Sequence, residues 1–105
     1  MALLMVRDVP GTLAQYDTLM RRLEAAGALL PEGRCYHVAA ATPSGVRIVE
    51  VWESREAVAR FREMALPIVA DLDLPRAAAC PQIDVVHRVL GPDPVQASRA
   101  HHATN

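Results

Sequence analysis

Strand and helix periodicities follow one another along this chain in the order β-α-β-β-α-β. That order predicts an α+β domain of ferredoxin-like type, one antiparallel sheet with two helices on one of its faces. Three observations carry the expectation. Apolar residues recur at helical spacing over residues 13 to 26 and again after Ser54. Runs rich in Val, Ile and Ala occupy 34 to 41, 46 to 53 and 82 to 89, and an apolar run occupies 2 to 7. The length, 105 residues, suits a single domain.

The elements can be justified in turn. After the first strand, Asp8-Val9-Pro10-Gly11 reads as a turn. Thr12 is the expected N-cap of the first helix, whose apolar side is Leu13, Tyr16, Leu19, Met20, Leu23 and Ala26. Gly27 is its natural stop. Thr42-Pro43-Ser44-Gly45 connects the second and third strands as a hairpin. The third strand, 46 to 53, carries the one tryptophan, Trp52, to a strand–helix corner. Ser54 caps the second helix, but Ala57 stands where a capping box would place an acid. Ala57, Val58, Phe61, Met64 and Ala65 form its expected buried face.

Pro67 should kink or end that helix near residue 66. Beyond it, Ile68-Val69-Ala70 either continues the helix past a kink or starts a short second one. The stretch from 67 to 81 reads as a connector or a lid. A last strand over 82 to 89 completes a domain of residues 1 to 90. From Gly91 a Gly-Pro-Asp-Pro run and a polar tail, 91 to 105, read as disordered.

Composition removes several function classes. Apolar residues make up 51% of the chain and the net charge is −1, so no basic stripe points to nucleic acid. No apolar run approaches the length of a membrane span. Met1 to Val6 is apolar but short, lacks a positive region before it, and is cut off by Arg7-Asp8, so it is not expected to be a signal peptide. Cys35 and Cys80 lack zinc spacing and read as reduced thiols of a cytoplasmic protein. No phosphate-binding or dinucleotide glycine motif is present, so no cofactor is expected.

The strands are apolar on both faces. In the third, Val46, Ile48 and Trp52 point one way and Val49 and Val51 the other. Two helices can cover only one face, so a homodimer closed through the sheet faces is expected.

The hairpin implies a register in which Ala41 faces Val46, Ala39 faces Ile48, His37 faces Glu50 and Cys35 faces Trp52. Cys35, His37, Glu50 and Trp52 then share one sheet face. His37 beside Glu50 is a candidate general base with its orienting carboxylate. Trp52 is a candidate flat wall for an aromatic substrate, with Tyr16, Phe61 and His87 as further substrate-binding candidates. The plainer alternative makes His37 and Glu50 a cross-strand polar pair and Trp52 a core anchor. An iron site from His37, His87 and Glu50 would need two histidines on opposite sheet edges to meet, so no metal is expected.

Gly33, Tyr36 and His37, the run Thr42 to Ser54, Ala57 with Phe61-Arg62, and Asp84 to Leu90 together resemble small actinobacterial members of the dimeric α/β-barrel superfamily. These are grouped with the antibiotic biosynthesis monooxygenases. The resemblance spans about residues 2 to 90 and is sharpest at Trp52-Glu53-Ser54. It implies a homodimer with a pocket between sheet and helices. It also implies oxidation of an aromatic polyketide phenol or anthrone without metal, flavin or haem. Trp52 matches the family's pocket tryptophan. Where that pattern has an amide before this Trp and a tyrosine after it, this chain has Ile48 and Val58. The only asparagine is Asn105, which argues against haem breakdown. The function expected is therefore a cofactor-free monooxygenase-like enzyme or base-assisted cyclase acting on a hydrophobic aromatic substrate. A non-catalytic binding or accessory dimer is the alternative.

Overall fold

The computed structural model describes residues 1–75 and 80–91. The elements are β1 (Leu3–Val9), α1 (Leu13–Ala25), β2 (Arg34–Thr42), β3 (Gly45–Trp52), α2 (Arg55–Asp71) and β4 (Gln82–Val85). The four strands form one antiparallel sheet in the order β2-β3-β1-β4. This is the ferredoxin-like arrangement. Residues of the tail beyond Gly91 lie outside the described residues. Among those described, no helix is long and apolar enough to cross a membrane.

Local chemistry sets the helix ends. The Thr12 hydroxyl accepts from the Gln15 amide N–H, and the Gln15 side chain accepts from the Thr12 N–H in return. This reciprocal pair satisfies donors that the first helical turn cannot. At the other end the Gly27 N–H donates to the Glu24 carbonyl and the Ala28 N–H to the Leu23 carbonyl. That closure needs a left-handed residue, and Gly27 supplies φ +72°.

Ser54 caps α2 by accepting from the Ala57 N–H at 3.1 Å. Ala57 itself is 1% exposed. A Cβ on Gly33 would come within 2.5 Å of the Ala57 Cβ. The place where an acid would complete a capping box is therefore taken up by close packing of the loop before β2 against α2. There is no room there for a longer side chain.

Several expectations are corrected. Strand β1 runs on to Val9, because Asp8 is held across the sheet by two Arg47 nitrogens, Nε and Nη2, rather than starting a turn. Helix α2 does not end near residue 66 but continues through Pro67 to Asp71, which is the expected alternative in which Ile68-Val69-Ala70 prolongs the helix. The carbonyl that Pro67 leaves without a donor belongs to Glu63, an exposed residue. Met64 is 43% exposed, off the buried face. Strand β4 ends at Val85 instead of residue 89, since its partner β1 begins at Leu3. One more bond, from the Val86 N–H to the Ala2 carbonyl, closes the ladder. His87 lies beyond it and is exposed, not part of a strand.

The core lies between the sheet and the helices. Met5, Trp52 and Ala57 form one buried group, with Val58, Phe61 and Ile83 packed on it. Leu23, Ala28 and Ala65 form another, against Leu19, Met20, Phe61 and Ile68. Phe61 joins the two. Because cross-strand partners share a face, Leu4, Val6, Tyr36, Val38, Val49 and Val51 occupy the opposite side, which carries no helix.

The close approach at Gly33 (φ +90°) makes a direct prediction. Gly33→Ala should cost about 2 to 4 kcal/mol through backbone strain and the Ala57 clash. Gly27→Ala, with nothing within 4 Å of the added carbon, should cost only about 1 kcal/mol. Urea denaturation of the two variants measures the difference.

Candidate functional site

The site begins with an irregularity in β2. From Thr42 back to Tyr36 the pairing is regular, with Ala41 opposite Val46, Ala39 opposite Ile48 and His37 opposite Glu50. Between Tyr36 and Arg34 the register shifts, so Arg34, not Cys35, stands opposite Trp52. The expected Cys35–Trp52 pairing is thereby corrected. An extra residue in one strand bends it and re-aims the following side chain. Here it brings a guanidinium to the inner face of the sheet.

Glu50 is the hub of the polar contacts. Its Oε2 lies 2.7 Å from His37 Nδ1 and 3.3 Å from Arg34 Nη1. Its Oε1 accepts from the Trp52 indole N–H at 3.2 Å. The Arg34 side chain is 8% exposed and that of Glu50 12%. Arg34 also donates to the Leu29 carbonyl at 2.5 Å, and its guanidinium carbon sits 5.9 Å from the centre of the Phe61 ring. That is close enough for a cation–π attraction.

Burial works to raise the Glu50 pKa. The hydrogen bonds from His37 and Trp52, the charge of Arg34 and, whenever the imidazole is protonated, that of His37 outweigh it, so the carboxyl titrates below its usual range. Burial lowers Arg34 from its ordinary value, against the pull of Glu50. A guanidinium remains charged through such a shift.

His37 Nε2 is 2.7 Å from the Tyr16 hydroxyl. Burial raises the Tyr16 pKa above its ordinary value, with Arg34 opposing the rise. The phenol is therefore protonated and available as a donor. An ionised Glu50 can only accept, so a neutral imidazole donates from Nδ1 to Glu50. Its Nε2 lone pair then accepts from Tyr16. With the imidazole neutral, the hydrogen bonds run in one direction, from Tyr16 through His37 to Glu50.

Tyr16, His37, Arg34 and Glu50 all line a cavity of about 630 Å³ between the sheet and the helices. Most of the remaining wall is apolar, including Leu19, Met20, Leu23, Val46, Ile48 and Phe61. Volume and lining are those of a small-molecule site.

The candidates from sequence divide accordingly. His37, Glu50, Tyr16 and Phe61 come together on one cavity. Trp52 does not line it. The indole is 1% exposed and its ring meets Phe61 at 5.5 Å between centres. It holds Glu50 from below rather than offering a flat wall to a ligand. His87 lies outside the site. Among the described residues no group of His, Cys, Asp or Glu is arranged to hold a metal ion. Arg34 is the participant that sequence reasoning missed. Its only signal was a cation at the start of a strand.

Glu50 links this geometry to stability. Ionised Glu50 favours the folded state at pH above its ordinary value of 4.5, and that contribution is lost as pH falls through the depressed folded-state value. Glu50→Gln also leaves Arg34 buried without its counter-charge, which should cost about 3 kcal/mol at pH 7. Denaturant titrations should show this gap to wild type at pH 7, narrowing below pH 4.5 as wild-type Glu50 takes up its proton.

The sequence matches no family model and no curated protein sequence. Solved structures do match its fold. SnoaB, a cofactor-independent oxygenase from Streptomyces nogalater, superposes with a TM-score of 0.56 at 18% identity, over 87% of this chain and 96% of its own. A Chloroflexus aurantiacus protein assigned to the antibiotic biosynthesis monooxygenases gives 0.53 at 24% identity, over 86% and 95%. The monooxygenase ActVA-Orf6 of Streptomyces coelicolor, in complex with nanaomycin D, gives 0.51 at 16% identity, over 88% and 91%. The chain thus has the ferredoxin-like α+β fold of the antibiotic biosynthesis monooxygenase-like structures.

Proposed function

We propose that the protein is a cofactor-free acid–base enzyme acting on a hydrophobic aromatic substrate of polyketide type. The observation that carries this reading is the contact series Tyr16–His37–Glu50 at the wall of a largely apolar cavity. Both imidazole nitrogens are engaged, so the group that meets the substrate is the Tyr16 oxygen. As it takes a proton from an acidic C–H or O–H, its own proton passes to His37 Nε2. The imidazolium that forms lies against Glu50, already ionised and correctly placed. This is electrostatic preorganisation, in which the compensating charge is in position before the proton moves. Glu50 positions His37 and does not itself exchange a proton with substrate.

The substrate anion left in the cavity has two chemical fates. A carbanion next to aromatic rings can reduce dioxygen. For a ring CH₂ the balance is one dioxygen consumed, one oxygen atom retained as a carbonyl and one water released. A carbanion facing an internal carbonyl can instead close a ring. The fold likeness to a cofactor-independent oxygenase supports the first, which we take as the leading reading.

One observation favours a second reading, a binding protein without turnover. Tyr16, His37 and Glu50 already satisfy one another, and the cavity wall next to them is the apolar Ile48. A dimer belongs to either reading. The helix-free sheet face is apolar, with Val38 57% exposed. A second copy packed sheet to sheet would cover it, and would place this face in a core typical of stacked sheets.

Two outcomes are expected. Tyr16→Phe and His37→Gln should each lower turnover of an anthrone by roughly 100-fold or more while leaving its binding affinity within about threefold. Unchanged turnover in both variants would show that the relay is structural. In sedimentation equilibrium the wild type should be a dimer and Val38→Glu a monomer, because the charge would be buried unpaired between the sheets.

A further inference from the structure

Strand β1 turns Leu3, Met5, Arg7 and Val9 toward the helices. Leu3 and Met5 are buried, as that face of a sheet requires. Arg7 is the exception in the series. A cation on the inner face of a central strand is costly unless something compensates its charge. Arg7 is only partly exposed and lines the cavity. Arg62, on α2, lines the same cavity and is exposed.

Three arginines have carboxylate partners. Arg34 is paired with Glu50, Arg22 with Asp71 and Arg47 with Asp8. Among the described residues the side chains of Arg7 and Arg62 have no ion-pair or hydrogen-bond partner. Among the described residues the lining carboxylates are Glu50, which Arg34 neutralises, and the exposed Asp73 just after α2. Unpaired guanidiniums therefore outnumber unpaired carboxylates around the cavity, by Arg7 and Arg62 against Asp73.

The separation of this charge from the proton relay matters too. Met5 stands opposite Glu50, and Arg7 lies two residues further along β1. His37 lies opposite Glu50 on the other side, with β3 between β2 and β1. Strand spacing and rise put the Arg7 and His37 backbones about 12 Å apart across the cavity floor. A fused two- or three-ring aromatic with an acidic substituent spans such a gap.

We infer that the cavity is selective for monoanionic amphipathic ligands, with an apolar aromatic body against Ile48 and Phe61 and a carboxylate held by Arg7. Arg62 adds positive charge at the exposed side. Recognition of the acid end then orients the ring system so that its far edge meets Tyr16. The inference rests on the cavity being the ligand site, as the functional reading has it, but not on the proton relay.

Calorimetric titration with anthraquinone-2-carboxylate and with its methyl ester tests it. The wild type should bind the acid about tenfold or more tightly than the ester, as expected for a charge-assisted contact. Arg7→Met should bring the two within about twofold by weakening the acid alone. Arg7→Lys, which keeps the charge, should retain a preference of about threefold or more. Arg47→Met, on the opposite sheet face, should leave the preference intact. Equal binding of acid and ester by the wild type, or a preference that survives Arg7→Met, would overturn the inference while leaving the functional reading standing. Failure of both probes to bind would overturn both. A Tyr16→Phe variant that keeps the acid preference but loses turnover would support each independently.

Discussion

A single carboxylate, partly buried on the inner face of the sheet, organises the polar contacts of the candidate site. Glu50 sits where the alternation of β3 would put an apolar residue between Ile48 and Trp52. Leaving it ionised there is tolerable only because Arg34, His37 and Trp52 all donate to it. Each donor is constrained in return. The imidazole is held with Nδ1 toward Glu50, the indole is fixed in the core beneath, and the guanidinium is kept at the end of β2. The bulge at Cys35 belongs to the same arrangement, because without it Arg34 would fall out of register with Trp52.

The cavity follows from how little of the sheet the helices fill. Phe61 and the residues around Leu23 and Ala65 close one side, while the floor near Val46, Ile48 and Arg7 stays open to a ligand. Apolar walls exclude water and strengthen the electrostatics of the few polar groups present. A phenol, an imidazole and a carboxylate in series can then move one proton with little rearrangement. Such a site needs no large motion. The donors on Glu50 and the close packing at Gly33 fix the positions of its side chains.

Much of this was legible in the chain. The β-α-β-β-α-β order, both helix caps and the pairing of His37 with Glu50 follow from periodicity and a count back from the four-residue connection Thr42-Pro43-Ser44-Gly45, of which the structure pairs Thr42 with Gly45. What escaped has physical reasons. A count by twos cannot mark where an extra residue enters a strand, so Cys35 was placed where Arg34 stands. Periodicity put Tyr16 on the buried side of α1, but which strand residue it meets depends on how the helix docks. The alternation of β4 continues to Val89, yet a strand lasts only as long as its partner, and β1 begins at Leu3. Trp52 read as a binding surface because tryptophan is large and flat. Its depth was decided by Phe61, Ala57 and Met5 packing around it. Arg7 looked like the end of a strand, since its unpaired state on a cavity wall exists only once the sheet and helices meet.

The chemistry of the site depends on the direction of the hydrogen bonds through His37. Nitrogen-15 NMR of the imidazole, recorded where the ring is neutral, measures that direction. A relay running from Tyr16 to Glu50 predicts a single tautomer with the proton on Nδ1, facing Glu50, and an unprotonated Nε2 whose shift moves when Tyr16 is replaced by Phe. A ring protonated on Nε2, or one averaging freely between tautomers and indifferent to Tyr16, would contradict it.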